Sequence, residues 1–497
     1  MTTVGDILVI GAGPGGVAAG AWLRRAGFDF LVLERGSEVG GTWRDNNYPG
    51  CACDIAASLY CFSFAPNPDW KRAYAEQPEL RDYLQRTADE FDVTRSIRFN
   101  EEVKSARWDG QAWQVESTGG SYTARVLVTA TGPWSAPLVP DLPGLDQFPG
   151  AVFHSAQWDH DFDLKGKRVA VIGTGASSVQ FLPLVQPEVE KLHLFQRTAP
   201  WIIPKTDYAL SEFERKMYRK YPGALKAMRK TQLGILESLG FFFRHPKAMP
   251  ALQKLALWNI RRGVKDKALR EILTPNFIMG CRRVLLSNTY YPAVASDNVE
   301  VIPQELVRIE GSKVIGADGT AREVDAILFG TGFHYSDPPI AGKIRDEKGR
   351  TLEEMWEGSP QAYLGTNVHG YPNLFMLLGP NMGSGTGSAI AGIEAQVRYA
   401  LSALTTMRDN GWHAVEVRAD VQDDYNTELQ KALGTTVYTP IGCNSNYIDR
   451  NGRNSTIWPW STKRLNKRIR TFAPDEYRTV ARHELADTGA ESGAETG

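Results

Sequence analysis

Short apolar runs, each closed by a cluster of glycines, punctuate the chain. The first, Asp6 to Ile10, is rich in Ile, Leu and Val and passes at once into Gly11-Ala12-Gly13-Pro14-Gly15-Gly16 and an Ala-rich stretch to Ala26. Run, glycine cluster and small-residue stretch predict strand, turn and helix. A second run, Phe28 to Leu33, ends in Glu34, 18 residues after Gly16. The pattern recurs at Arg168 to Ile172, Gly173-Thr174-Gly175-Ala176-Ser177-Ser178, a helix through Val185 and a strand Lys191 to Phe195, which ends in Gln196-Arg197. Between Leu210 and Thr274 it gives way to Leu and Met at helical spacing among Lys and Arg, which predicts an inserted helical subdomain. Two later strands, Ala326 to Phe329 and Leu374 to Leu378, run into Gly330-Thr331-Gly332-Phe333 and Gly379-Pro380-Asn381-Met382-Gly383.

Each glycine of the first cluster has a physical task. Gly11 permits the tight turn, Gly13 lets backbone approach a pyrophosphate, and Gly16 lets helix and strand pack closely. The pyrophosphate then meets a helix N-terminus, where unpaired N–H groups and the dipole favour negative charge. Glu34 would accept hydrogen bonds from ribose hydroxyls. In the second unit Ser178 takes the third glycine's place after Gly173 and Gly175, and the strand ends in Arg197 instead of an acid. A carboxylate there would repel the 2'-phosphate that arginine can pair with, which points to NADP rather than NAD. Two bound dinucleotides are implied.

Composition narrows the picture. At about 150 residues per domain, 497 residues allow two to four domains. The net charge of -1 gives no global field toward nucleic acid or an anionic membrane, and the basic pairs Arg215-Lys216 and Arg261-Arg262 read as solvated helix faces. No apolar run approaches the ~20 residues that span a bilayer, and the N-terminus lacks a signal-peptide pattern. Five cysteines without a CxxC are too sparse for a disulfide framework or a Cys-rich zinc site, so a reducing cytoplasm fits best. Eight scattered histidines without HxxxH point to no metal. Ala486 to Gly497 is small, polar and acidic, and reads as a disordered tail.

Two further stretches are more specific. Phe148-Pro149-Gly150-Ala151-Val152-Phe153-His154-Ser155-Ala156-Gln157-Trp158 resembles the FxGxxxHxxxW fingerprint of the Baeyer-Villiger monooxygenases. Gly40-Gly41-Thr42-Trp43, followed by Tyr48-Pro49-Gly50 and Asp54, resembles that family's other signature. Ala130-Thr131-Gly132, Phe195-Gln196-Arg197-Thr198, Arg282-Arg283-Val284-Leu285 and Gly379-Pro380-Asn381 add matches over nearly the whole chain. The sequence departs from the family near its C-terminus, where Asn446 stands in place of a common Trp and Trp460 in place of a Gly.

The resemblance implies an α/β fold of two Rossmann-like dinucleotide-binding domains, for FAD and NADP, with an inserted helical subdomain. The FAD domain would comprise 1–143 and 336–485, the fingerprint linker 144–160, and the NADP domain 161–335, with the insertion at about 208–275. Phe148, Gly150, His154 and Trp158 would organise the domain junction. The implied reaction uses NADPH, O2 and a C4a-peroxyflavin to insert one oxygen next to a ketone carbonyl, giving an ester or lactone. Arg283 would hold the peroxyanion, with Asp54 orienting its guanidinium. Arg282 and Arg197 would face the 2'-phosphate. Gly41, Thr42, Trp43, Thr198 and Asn381 complete the expected cofactor contacts.

Three alternatives use the same glycine turns. A flavin-containing monooxygenase of soft sulfur or nitrogen shares the cofactors but usually lacks the equivalents of Asp54 and Arg283. A disulfide reductase needs a CxxC, whereas Cys51 and Cys53 form CxC. A non-catalytic flavin sensor has no need of Asp54 and Arg283 together.

Overall fold

The computed structural model describes residues 2–3, 6–439 and 445–481. Its first half contains β1 (Ile7–Ile10), α1 (Pro14–Arg25), β2 (Phe30–Leu33), β3 (Ile97–Arg98), β4 (Val126–Thr129), β5 (Ala151–His154), β6 (Arg168–Ile172), α2 (Ala176–Val185) and β7 (Lys191–Phe195). There follow α3 (Pro222–Arg244), α4 (Met249–Gly263), β8 (Val299–Ile302), β9 (Ala326–Phe329), β10 (Leu374–Met376) and α5 (Ala389–Asp409). The expected tail, 486–497, lies outside the described residues.

Two five-stranded parallel sheets carry the fold. The first has the order β10-β4-β1-β2-β3, with Ile7 to Ile10 in register with both Phe30 to Leu33 and Val126 to Thr129. The second has the order β8-β7-β6-β9-β5. Continuous apolar runs form these strands because both sheet faces are covered: every residue of β1, β4 and β9 is buried. On one face of the first sheet lies α1, which packs against α5. On the other, Leu8, Ile10, Leu127 and Leu374 share a core with Trp108 and Trp113 of an antiparallel layer formed by Val103–Trp108, Trp113–Ser117 and Ser121–Ala124.

The stretch expected to be helical contains Glu212–Lys220, α3, α4 and Lys267–Ile272. None of its helices, nor any other among the described residues, is long and apolar enough to cross a membrane. Residues 151–154, within the stretch expected as the fingerprint linker, form β5, an edge strand of the second sheet paired to β9. Cys51, Cys53 and Cys61 are free thiols, and Cys281 is disulfide-bonded.

Candidate active site

The C-terminal ends of β1, β2 and β4 open onto a cleft of about 160 Å³. Gly11, Gly13, Glu34, Gly41 and Thr42 all line it, as do Ala130-Thr131-Gly132 and Pro338 to Ile340. Gly13 is the N-cap of α1, so the helix N-terminus faces the cleft. The turn tolerates no larger residue: a Cβ on Gly16 would sit 1.9 Å from the Gly11 carbonyl oxygen, and one on Gly41 would sit 2.8 Å from the Gly13 Cα. Glu34 is fixed in place. One carboxylate oxygen accepts the Ala12 N–H at 2.6 Å; the other accepts from Gly36 N and Arg44 Nη1, each at 2.8 Å. Sequence reading missed Arg44, because nothing in a charge ten residues along the chain marks it as a partner of Glu34. Trp43 does not line the cleft; its indole N–H donates to the Tyr60 hydroxyl at 3.1 Å, and it is Tyr60 that reaches the cleft wall.

The second glycine turn repeats the first at the end of β6, with Gly173 at φ 95° and Gly175 as N-cap of α2. Ser178 is fully buried, and a Cβ on Gly330 would lie 1.8 Å from its Oγ. It therefore fits α2 against the end of β9, the packing task of the third glycine whose place it takes. The Thr198 carbonyl accepts from Thr174 Oγ1 at 3.2 Å, tying the loop after β7 to the turn. Arg197 is two-thirds exposed and 3.6 Å from the Glu305 carboxylate. Burial, and then the nearby Arg197 charge, lower the pKa of Arg282, whose guanidinium lies 5.3 Å from the Phe277 ring centroid. Two cations held close enough to repel each other beside a glycine turn favour an anionic ligand.

Arg283 meets Asp54. Its Nε and Nη2 both donate to the same carboxylate oxygen, at 2.9 and 2.6 Å. The Asp54 charge holds the Arg283 guanidinium well above its ordinary pKa, and burial opposes this only partly. The side chains remain 36% and 27% exposed, so a pair of this kind contributes modestly to stability and leaves donors for a ligand. Tyr60, on the cleft wall, is close enough to both charges for each to act on its phenol. The two clusters are thus neighbours.

His154, at the end of β5, is buried, with Nδ1 accepting the Ala156 N–H at 3.1 Å. Burial outweighs the favourable Gly332 backbone and lowers its pKa to about 4, so the ring is neutral near pH 7. Phe148 is buried beside Gly150, where a Cβ would meet the Asp325 carbonyl oxygen at 2.2 Å. Trp158 packs between Phe153 and Phe181, with centroids 5.0 and 5.2 Å away. The fingerprint residues thus pack where β5, β9 and α2 meet. Asn381 is anchored through Nδ2, which donates to the carbonyls of Asn454 and Ile457 at 2.8 and 3.3 Å.

A family model described as pyridine nucleotide-disulphide oxidoreductase matches residues 8–216, the stretch that holds both glycine turns. A Baeyer-Villiger monooxygenase from Streptomyces coelicolor is 46% identical over 98% of this chain and 97% of its own. Another from Pseudomonas aeruginosa is 44% identical over 95% of this chain and 90% of its own. Among solved structures, OTEMO in complex with FAD and NADP superposes with a TM-score of 0.87 at 27% identity, covering 97% of this chain and all of that one. Full-length similarity at this level, together with the Asp54–Arg283 pair beside two glycine-turn sites, shows that the chain belongs to the Baeyer-Villiger monooxygenase family.

Proposed function

We propose that the protein uses NADPH and O2 to insert one oxygen atom beside the carbonyl of a small-molecule ketone, giving an ester or lactone. The observation that carries this reading is Arg283, a permanent cation held by Asp54 next to the wall of the first cleft. A cyclohexanone monooxygenase with ε-caprolactone bound superposes on this chain with a TM-score of 0.83 at 26% identity, which supports a ketone as substrate.

The first cleft suits FAD, since Gly16 and Gly41 leave no room for side chains where backbone must approach a pyrophosphate, and α1 points its N-terminus there. FAD reduced by NADPH supplies the oxygen-activating chemistry. The side chains then have separate tasks. Glu34 accepts from ribose hydroxyls, and Arg197 with Arg282 grips the 2'-phosphate of NADPH. Arg283 stabilises negative charge that develops on oxygen during attack on the carbonyl, a role typically worth about 10² to 10³ in rate. Asp54 keeps the guanidinium from turning away. His154, neutral and buried, moves no proton. We place this activity in the cytoplasm, where NADPH is supplied.

Separating the two halves of the reaction tests the assignment. Arg283→Ala should retain FAD and be reduced by NADPH, yet form no ester; ester formation at the wild-type rate would overturn the role of Arg283.

A further inference from the structure

The two stretches that mark the family meet on one helix, α2. Gln180, on this helix, spends its side-chain amide across the domain boundary. Its Oε1 accepts the Tyr48 hydroxyl at 2.8 Å and the Ala52 N–H at 3.2 Å, while its Nε2 donates to the Ala52 carbonyl at 2.9 Å. Tyr48 and Gly50 belong to the stretch that leads to Asp54, and Ala52 lies two residues before it. The contact is close along its length: a Cβ on Gly50, whose φ is 77°, would meet Leu184 Cδ1 at 2.9 Å and the Gln180 carbonyl oxygen at 3.0 Å. One residue along, Phe181 packs against Tyr48 on one side and the fingerprint Trp158 on the other.

We propose that Gln180 is a positioning residue that links the nicotinamide-nucleotide turn to the Asp54 segment, so that a nucleotide seated at Gly173–Gly175 steadies the Asp54–Arg283 pair. The proposal rests on the functional reading above. Its physical basis is a short, stiff path. Gly175 caps α2, Gln180 lies in its second turn, and Ala52 is bound to Gln180 through both of its backbone polar groups. On its far side the same segment is tied to the strip at 73–77, through Cys53 N to the Ala75 carbonyl at 2.9 Å and Gln77 N to the Cys51 carbonyl at 2.8 Å. Beside the apolar contacts of Phe181 and Leu184, Gln180 is therefore a hydrogen-bonded side-chain link by which α2 orders a segment that ends at Asp54. Plain glue between domains would affect stability alone; a positioning role also affects what the nucleotide does to that segment and how NADPH is spent.

A productive turnover consumes NADPH, a proton, O2 and ketone and yields NADP+, ester and water. An unproductive one consumes NADPH, a proton and O2 and yields NADP+ and hydrogen peroxide. The test compares the wild-type holoenzyme with Gln180→Leu, which keeps the volume and removes all three bonds. Amide hydrogen exchange across residues 50–56, with and without NADP+, is read beside NADP+ affinity and the ratio of ester to NADPH consumed. In the wild type NADP+ should slow exchange there by about tenfold, an effect lost in Gln180→Leu while nucleotide affinity changes by less than about threefold. The ester yield per NADPH should fall in the variant, with hydrogen peroxide making up the difference. Equal protection by NADP+ in both proteins, or an unchanged yield, would overturn the proposal. Should Gln180→Leu fold poorly, Tyr48→Phe, which removes a single bond, should show the same pattern at smaller size; its absence there would equally overturn the link. If the wild type itself makes no ester, the functional reading fails, while the exchange experiment still decides whether Gln180 carries the nucleotide's effect.

Discussion

At the scale of single residues, charges and one buried ring account for most of the expected behaviour. Arg197→Ala should raise the KM for NADPH by roughly tenfold to a hundredfold and leave kcat nearly unchanged, because a charge-assisted bond worth about 1.5–3 kcal/mol is lost from binding alone. Steady-state kinetics with NADPH and NADH check this; an unchanged preference for NADPH would argue against Arg197 as the phosphate partner. Asp54→Ala should lower ester formation nearly as much as loss of Arg283 does, because a guanidinium freed from both of its bonds to the carboxylate no longer faces the reacting oxygen. His154 makes a pH prediction. Its folded pKa of about 4 lies below the ordinary 6.5, so the unfolded chain binds more protons between those values and stability must rise with pH across that window. The stabilisation is present above pH 6.5 and is lost as pH falls toward 4, about 3 kcal/mol in all. Urea unfolding at several pH values should show this slope in the wild type and a shallower one in His154→Gln.

At the scale of elements, the glycine turns bear the heaviest demand. Gly16→Ala would place a methyl group 1.9 Å from the Gly11 oxygen, so α1 must shift away from the turn. The purified variant should lose most of its FAD, read as the ratio of flavin to protein absorbance. These turns were legible because strand, glycines and helix are contiguous, and local sequence then dictates local geometry. The antiparallel layer of Trp108 and Trp113 was not: its strands are short, interrupted at Asp109 to Ala112, and acquire their cover from distant segments that include β1, β4 and β10. Glu34 was legible as the end of β2, but Arg44 as its partner was not, because ten residues and a change of direction separate them. Ser178 and Asn381 occupy motif positions, but that Ser178 packs against Gly330 and that Asn381 braces Asn454 and Ile457 shows only once the chain is folded. Gln180 lies in an unremarkable helix, and its three bonds depend on which loop is brought against it.

At the scale of the whole molecule, two parallel sheets present their glycine turns toward a shared region in which Asp54 and Arg283 meet from segments 229 residues apart. Neither sheet supplies this pair alone, which is why a chain with both turns but without the pair would bind cofactors and still lack the cation that the proposed oxygen insertion requires. The fingerprint serves that assembly: β5 joins the second sheet and Trp158 packs against α2, the helix that also holds the Asp54 segment. The most direct test of the central claim supplies purified protein with NADPH, isotopically heavy dioxygen and a panel of linear, cyclic, aromatic and steroid ketones, and analyses products by mass. At least one ketone should give an ester or lactone carrying one heavy oxygen atom. Sulfoxides or N-oxides from a matched panel of sulfides and amines, with no ester or lactone from any ketone, would contradict it.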